Sequence, residues 1–419
     1  MAKSGTFNLG SSVPDATPAT GEQLVVVGKM LASSGEGLLT GLRSPIRTSS
    51  DLIKAAGVNK DIASRFLSAL GKRDPVAVVY YMPGVESLRR ISRGAKSRAG
   101  DAAAIKTFDH AISAFESFLQ NDLGGRHALD AMASAWLPEA RERFESASRQ
   151  MAFRAAANLR GLECRALLNA SLICPGADKE RYDAVSVQGL IGMQRLRPAV
   201  SLTLATYDRR GDTAGRPNFT IDGRPISGEA LPHELLPQFG RGDPLDLRVA
   251  RVGSSAAFQL VGTALGASAA SDSFFGVYSP GLFRRWARFA GDNAAYMEVL
   301  EVPTQRLVLD MLLHEDVWPG LEPELLLYDT CVRGTASTND RARDVDRVDM
   351  LDTCRLIGRG VDCCRVAETP QYLDLLHWTC AQRGWDPGAF RVYRCDARYP
   401  VVGVQYTMAF HLQERPANT

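Results

Sequence analysis

Between Asp101 and Leu119 the apolar residues Ile105, Phe108, Ile112, Phe115 and Leu119 advance by steps of 3, 4, 3 and 4. Only a helix places that series on one face, and such a stripe needs an apolar partner to cover it. Beyond the Gly124-Gly125 break and residues 129–136, Pro138 stands at the favoured first position of a long alanine-rich helix. That helix is predicted to run toward Ile173 and to end at Pro175-Gly176. Ala140, Phe144, Ala147, Met151, Ala155, Leu159 and Leu162 would line one face, suited to a helical hairpin, a subunit interface or an internal core.

After residue 180 the texture changes. Residues 199–206 read as a strand, and a Gly/Pro-rich loop is expected over 207–244. Apolar runs at 245–252, 297–302, 307–313, 325–328, 390–395 and 401–412 point to a C-terminal α+β domain, although some would serve equally as buried helix. At 419 residues the chain exceeds what one hydrophobic core usually serves, so a multidomain protein is expected. Hydrophobic residues at 45% and charged residues at 23% exclude a chain dominated by disorder or collagen repeats.

The formal net charge of +2 conceals an asymmetry. Residues 1–100 hold 14 Lys or Arg against 7 Asp or Glu, whereas residues 101–419 hold 35 against 40. Within 41–98 the ratio is 12 to 4, the footprint of a surface that meets phosphate, anionic lipid or an acidic partner. No apolar stretch reaches the ~20 residues of a membrane span. Residues 1–20, rich in Ser, Gly, Pro, Thr and Ala, read as a flexible leader without the apolar run of a secretory signal, so a cytoplasmic protein with no membrane partner is expected. A compact helix over 23–32 should then be broken by Ser33-Ser34-Gly35.

Function is most legible in residues 48–70, TSSDLIKAAGVNKDIASRFLSAL. Ser49 or Ser50 can cap a first helix, Gly57 supplies a tight turn, and Asn59 can cap a second. Small Ala55 and Ala56 allow close approach, while Val58, Ile62, Phe66, Leu67 and Leu70 can form the shared core. This is a helix-turn-helix pattern, in which the second helix enters the major groove with its N-terminal side chains near base edges. Asn59, Lys60, Ser64 and Arg65 become candidate DNA contacts, with Arg65 able to pair bidentately with guanine. Arg47, Lys54, Lys60, Lys72 and Arg73 are suited to phosphates, whereas Asp61 would repel them.

The next segment, KRDPVAVVYYMPG over 72–84, looks like the strand and turn of a wing, while 85–91 after Pro83-Gly84 fits a helix better than a second wing strand. The segment 21–98 resembles bacterial winged helix-turn-helix transcription regulators, broadly the IclR-like type. That resemblance implies a DNA-binding domain ahead of a regulatory one. The expected fold is therefore an N-terminal α-helical winged-helix-like domain over 21–98, a helical linker or dimerisation segment over 101–175, and an α+β sensing or assembly domain over 180–419. The expected function is a non-enzymatic transcription regulator that binds double-stranded DNA as a homodimer, with no cofactor and no effector specified by any motif. The alternative is a protein-interaction or assembly factor that docks through the basic module.

Six of the eight cysteines, Cys331, Cys354, Cys363, Cys364, Cys380 and Cys395, lie close together in sequence with His377 among them. The paired spacing of a zinc site is missing, so reduced buried thiols are expected and no metal is assigned. A thiol activated by His377 or His411 would make a hydrolase, a third reading that needs geometry as well as residue types. His314-Glu315-Asp316 is expected to form a surface turn. Trp286, Trp318, Trp378 and Trp385 would serve a core, an interface or a ligand pocket.

Overall fold

A computed structural model describes residues 16–198, 202–208, 217–226, 233–242, 247–252, 255–260 and 265–416. Helices fill roughly the first 160 residues and a mixed, sheet-rich region follows, as expected of an α then α+β chain. Two compact units result, Met1–Phe144 and Glu145–Thr419.

The first unit contains α1 (Ala16–Thr40), α2 (Ser49–Ala56), α3 (Lys60–Leu70), α4 (Pro75–Tyr81), α5 (Val85–Ser97), α6 (Ala102–Ser117) and α7 (Arg126–Ser134). The predicted leader lies mostly outside the described residues, but α1 already begins at Ala16. It also runs through Ser33-Ser34-Gly35, where a break was expected. The two hydroxyls donate to the carbonyls of Met30 and Leu31, and Gly35 lies where a Cβ would stand 2.7 Å from Leu70. Small polar residues here serve helix packing, and the loss in propensity is outweighed by tertiary contact. The Ile105–Leu119 stripe faces the core with Leu24, Leu31, Phe66 and Ile91, so α1 and α5 cover it within the chain. The stripe thus finds the apolar cover it needs inside the first unit.

The wing strand is corrected to a helix. Asp74 caps α4 by accepting from Val76 N at 2.9 Å, and Pro75 occupies the first turn. Val76, Ala77, Val78 and Val79 are all buried, so this β-branched run is enclosed on every side by helices, which overrides its strand preference. No strand occurs among the described residues of this unit. The reading of 85–91 as helix is met by α5.

The long helix after Pro138 is also shorter than expected: α8 spans Pro138–Arg160. Gly161 follows at φ +72, a left-handed conformation that suits glycine and ends the helix. Its anticipated apolar face is buried at Ala140 but not along its second half, where Met151 is 58% and Leu159 76% exposed while Phe153 and Ala157 are buried instead.

In the second unit β1 is Leu162–Glu163, β2 Ala166–Pro175 and β3 Arg181–Arg195. The remaining strands are β4 (Leu202–Asp208), β5 (Glu234–Leu235), β6 (Leu247–Val252), β7 (Ser255–Leu260), β8 (Ser271–Arg284), β9 (Asn293–Val299), β10 (Arg306–His314), β11 (Glu324–Asp329), β12 (Cys354–Arg359), β13 (Phe390–Arg398) and β14 (Val404–His411). The main sheet runs β12-β13-β10-β2-β3-β8-β5, with β1 beside β3. Only β10 and β2 pair in parallel within it. One face packs on helix α9 (Pro370–Arg383) through Leu168, Leu172, Leu375 and Leu376. The other meets the sheet β11-β14-β9 through Leu167, Leu309, Tyr406 and Met408. A third sheet, β4-β7-β6, takes up part of the expected 199–206 strand and the 245–252 run.

Polar side chains enter both layers. On the α9 side Arg394 donates twice to Asp310 at 2.7 Å, and the Tyr372 hydroxyl donates to the same carboxylate at 2.7 Å. On the other side Glu298 accepts from Asn169 and, at 3.1 Å, from Gln188. Burial outweighs these donors and pushes the Glu298 carboxyl up to about 8.

Candidate nucleic-acid interface

The helix-turn-helix elements form where the sequence places them, with one shift at the first cap. Thr48, rather than Ser49 or Ser50, caps α2: its hydroxyl accepts from Asp51 N, and Asp51 accepts from Thr48 N at 2.9 Å. Asp51 stands three residues after Thr48, which completes a reciprocal capping box. The Thr48 hydroxyl is the chief cause holding the Asp51 carboxyl below its ordinary value. Gly57 turns the chain at φ +67, and Asn59 accepts from Ile62 N at 2.9 Å to start α3. Asn59 thus spends its side-chain oxygen on the helix.

Lys60, Asp61, Ser64, Arg65 and Ser68 are exposed, while Ala63, Phe66 and Ala69 hold α3 to the core. The outer face of α3 is consequently polar and open. Arg47, Lys54 and Arg73 are also exposed, on the approach to α2, on its last turn and just beyond α3. Lys72 differs: it is half-buried, with its ammonium 4.3 Å from the ring centre of Tyr81.

Two depressions lie beside this face. The first, of about 520 Å³, is lined by Gly57, Asn59 and Ile62 on one side and by Arg90, Arg93 and Arg98 on the other. The second, of about 540 Å³, brings Ser64 and Arg65 together with Tyr80, Tyr81, Arg126 and Arg143. There Arg126 donates to the carbonyls of Tyr80 and Met82 and pairs with Asp130 at 3.2 Å, so it fixes the end of α4. Arg143 lies over Tyr81.

The sequence pattern alone did not single out the α5 and α7–α8 arginines. A signal existed in α5: Arg90, Arg93 and Ser97 recur at helical spacing opposite buried Leu88, Ile91 and Ala95. Arg126 and Arg143 carried no local signal, because the fold alone brings them to α3.

The cysteines of the cysteine-rich region are dispersed, with Cys331 exposed and Cys354 and Cys363 half-buried. Cys364, Cys380 and Cys395 are buried, and burial pushes Cys354 and Cys380 up to about 12. His377 meets Asp362 at 3.1 Å rather than a thiol, and His411 lies 3.8 Å from Glu324. Among the described residues no group of three or more His, Cys, Asp or Glu side chains is placed to hold a metal ion. His314-Glu315-Asp316 leads into a turn, as expected, and Trp318 beyond it is a core residue against Phe410. Trp378 packs on Phe239, and Arg285 lies over Trp286.

No helix among the described residues is long and apolar enough to cross a membrane. No family model, curated protein or solved structure matches the chain.

Proposed function

We propose that this protein binds duplex DNA through α3 and acts as a transcription regulator, with the second unit serving sensing or assembly. The observation that carries this reading is the exposed, polar outer face of α3 with arginine-lined depressions on both sides. A helix seated in a major groove needs such a face for base edges and flanking cations for the two phosphate rows. The likeness to winged regulators then rests on α2 and α3, with α4 and α5 in place of a β-wing. Cytoplasmic location, a homodimeric state and the lack of a catalytic role belong to the same reading.

Arg65 is assigned to guanine, and Lys54, Lys60, Arg47 and Arg73 to phosphates. Fluorescence anisotropy with a selected duplex and a random one checks this division. Arg65→Ala should cost about 1–3 kcal/mol more on the selected site. Equal losses on both duplexes would move Arg65 to the backbone contacts. An absence of duplex binding at low salt, with retention of an acidic protein instead, would favour a docking module.

A further inference from the structure

We infer that the notch between the Gly57-Val58-Asn59 turn and α5 is a binding site for a backbone phosphodiester of the nucleic acid, held by Arg90, Arg93 and Arg98. The inference rests on the duplex reading above and assigns to α5 the grip expected of a wing.

Two glycines build the notch. A Cβ on Gly94 would fall 1.7 Å from the carbonyl oxygen of Ala56, so only glycine lets the α5 backbone lie directly against the end of α2. That contact brings Arg90, Arg93 and Arg98, spaced along and just beyond one side of α5, to the turn. At Gly57 the missing side chain leaves room for a guanidinium: a Cβ there would stand 2.7 Å from Arg98 Nη1. Arg98 is thereby seated against the turn that precedes the reading helix.

The charge is unbalanced in the way an anion requires. No carboxylate lines the notch, and among the described residues none lies within ion-pair distance of Arg98. Glu86, one turn before Arg90, is the nearby acid: it pairs with Arg93 at 2.6 Å and lies 3.9 Å from Arg90. Arg90 and Arg93 are 60% and 66% exposed, so an incoming phosphate can reach both without unfolding anything. Planar guanidinium forks match phosphate oxygens, and three around one opening suit a diester better than a lone carboxylate. Asn59 and Ile62 share the lining, which makes the notch continuous with the start of α3. When the N-terminal part of a helix meets base edges, the strand flanking that groove is the neighbouring anion.

The full chain is titrated by anisotropy against a random-sequence duplex over a salt series, alongside an Arg90→Gln/Arg98→Gln double variant and Glu86→Gln. The double variant should bind more weakly on every sequence, with a log K against log salt slope shallower by roughly 1 for each phosphate no longer neutralised. Glu86→Gln should bind more tightly than the native chain, because it releases Arg93. Opposite shifts from two variants changed only at exposed residues separate phosphate binding from loss of folding. Duplex binding by the native chain with unchanged slopes in both variants overturns the notch and leaves the DNA reading standing. No duplex binding by the native chain overturns both, and binding of polyglutamate that disappears in the double variant would give the notch to an acidic protein instead.

Discussion

Asn59 shows how one residue can look like a reader and act as a scaffold. Its oxygen accepts from Ile62 N, so Asn59→Ala should destabilise the first unit by about 1 kcal/mol in denaturant unfolding. DNA affinity should fall on all sequences together, since the first turn of α3 frays whatever bases it faces. Asn59→Asp keeps the cap and should retain the stability. Gly57 and Asn59 were legible because a left-handed turn and a helix start each admit few residue types. The first cap was misplaced by one or two positions because Thr48, Ser49 and Ser50 all carry capping hydroxyls, and the choice falls to Asp51 three residues beyond Thr48.

Glu298 makes a different prediction, in the second unit. Its carboxyl is raised from 4.5 to about 8, chiefly by burial, so the folded chain keeps a proton that the unfolded chain releases. Stability should therefore fall as pH rises from about 4.5 to about 8, and level off above that window. At ~1.4 kcal/mol per unit, the loss attributable to this group is roughly 3–5 kcal/mol. Glu298→Gln should flatten that part of a melting-temperature profile. A profile identical to that of the native chain would show that Glu298 is ionised in the fold.

At the scale of elements, packing decides where periodicity misleads. Residues 76–79 have the β-branched composition of a strand, yet enclosure by neighbouring helices makes them α4. Residues 166–174 follow a long alanine-rich helix, yet they form β2, buried on both faces. A strand covered on both sides loses its alternation and cannot be told from buried helix by pattern alone. The Ile105–Leu119 stripe was correctly read as helical, but sequence spacing is silent on whether its cover comes from the same chain. The junction of α2 and α5 offers a direct test of packing. Gly94→Ala should lower the stability of the first unit by about 1–3 kcal/mol, because α5 must withdraw from Ala56. Circular dichroism should show preserved helix content at low denaturant and an earlier unfolding midpoint.

For the whole molecule, the basic excess of residues 1–100 lies within the helical unit, which continues to Phe144 and is followed by a larger sheet-rich unit. The apolar runs of the sequence fall on β6, β9, β10, β11, β13 and β14, whereas the long β3 and β8 were not read and β2 was taken for helix. The order of the strands was not legible, because β2 pairs with β10 across intervening strands and the pairing leaves no local mark. With the α6 stripe buried, a homodimer would have to use another surface, such as the exposed Met151 and Leu159 side of α8. Light scattering at micromolar concentration checks this: a native dimer that Met151→Glu/Leu159→Glu converts to a monomer would place the interface there, and a dimer untouched by both changes would exclude it.

The proposed reading of duplex sequence by α3 is open to direct selection. The full chain should be challenged with a pool of random duplexes at moderate salt, and the retained fragments sequenced for the native chain and for Arg65→Ala. The account predicts a short enriched motif containing a guanine whose preference is relaxed in Arg65→Ala, while the rest of the motif persists. Retention without any enriched motif, or no retention of duplex at low salt, would contradict it.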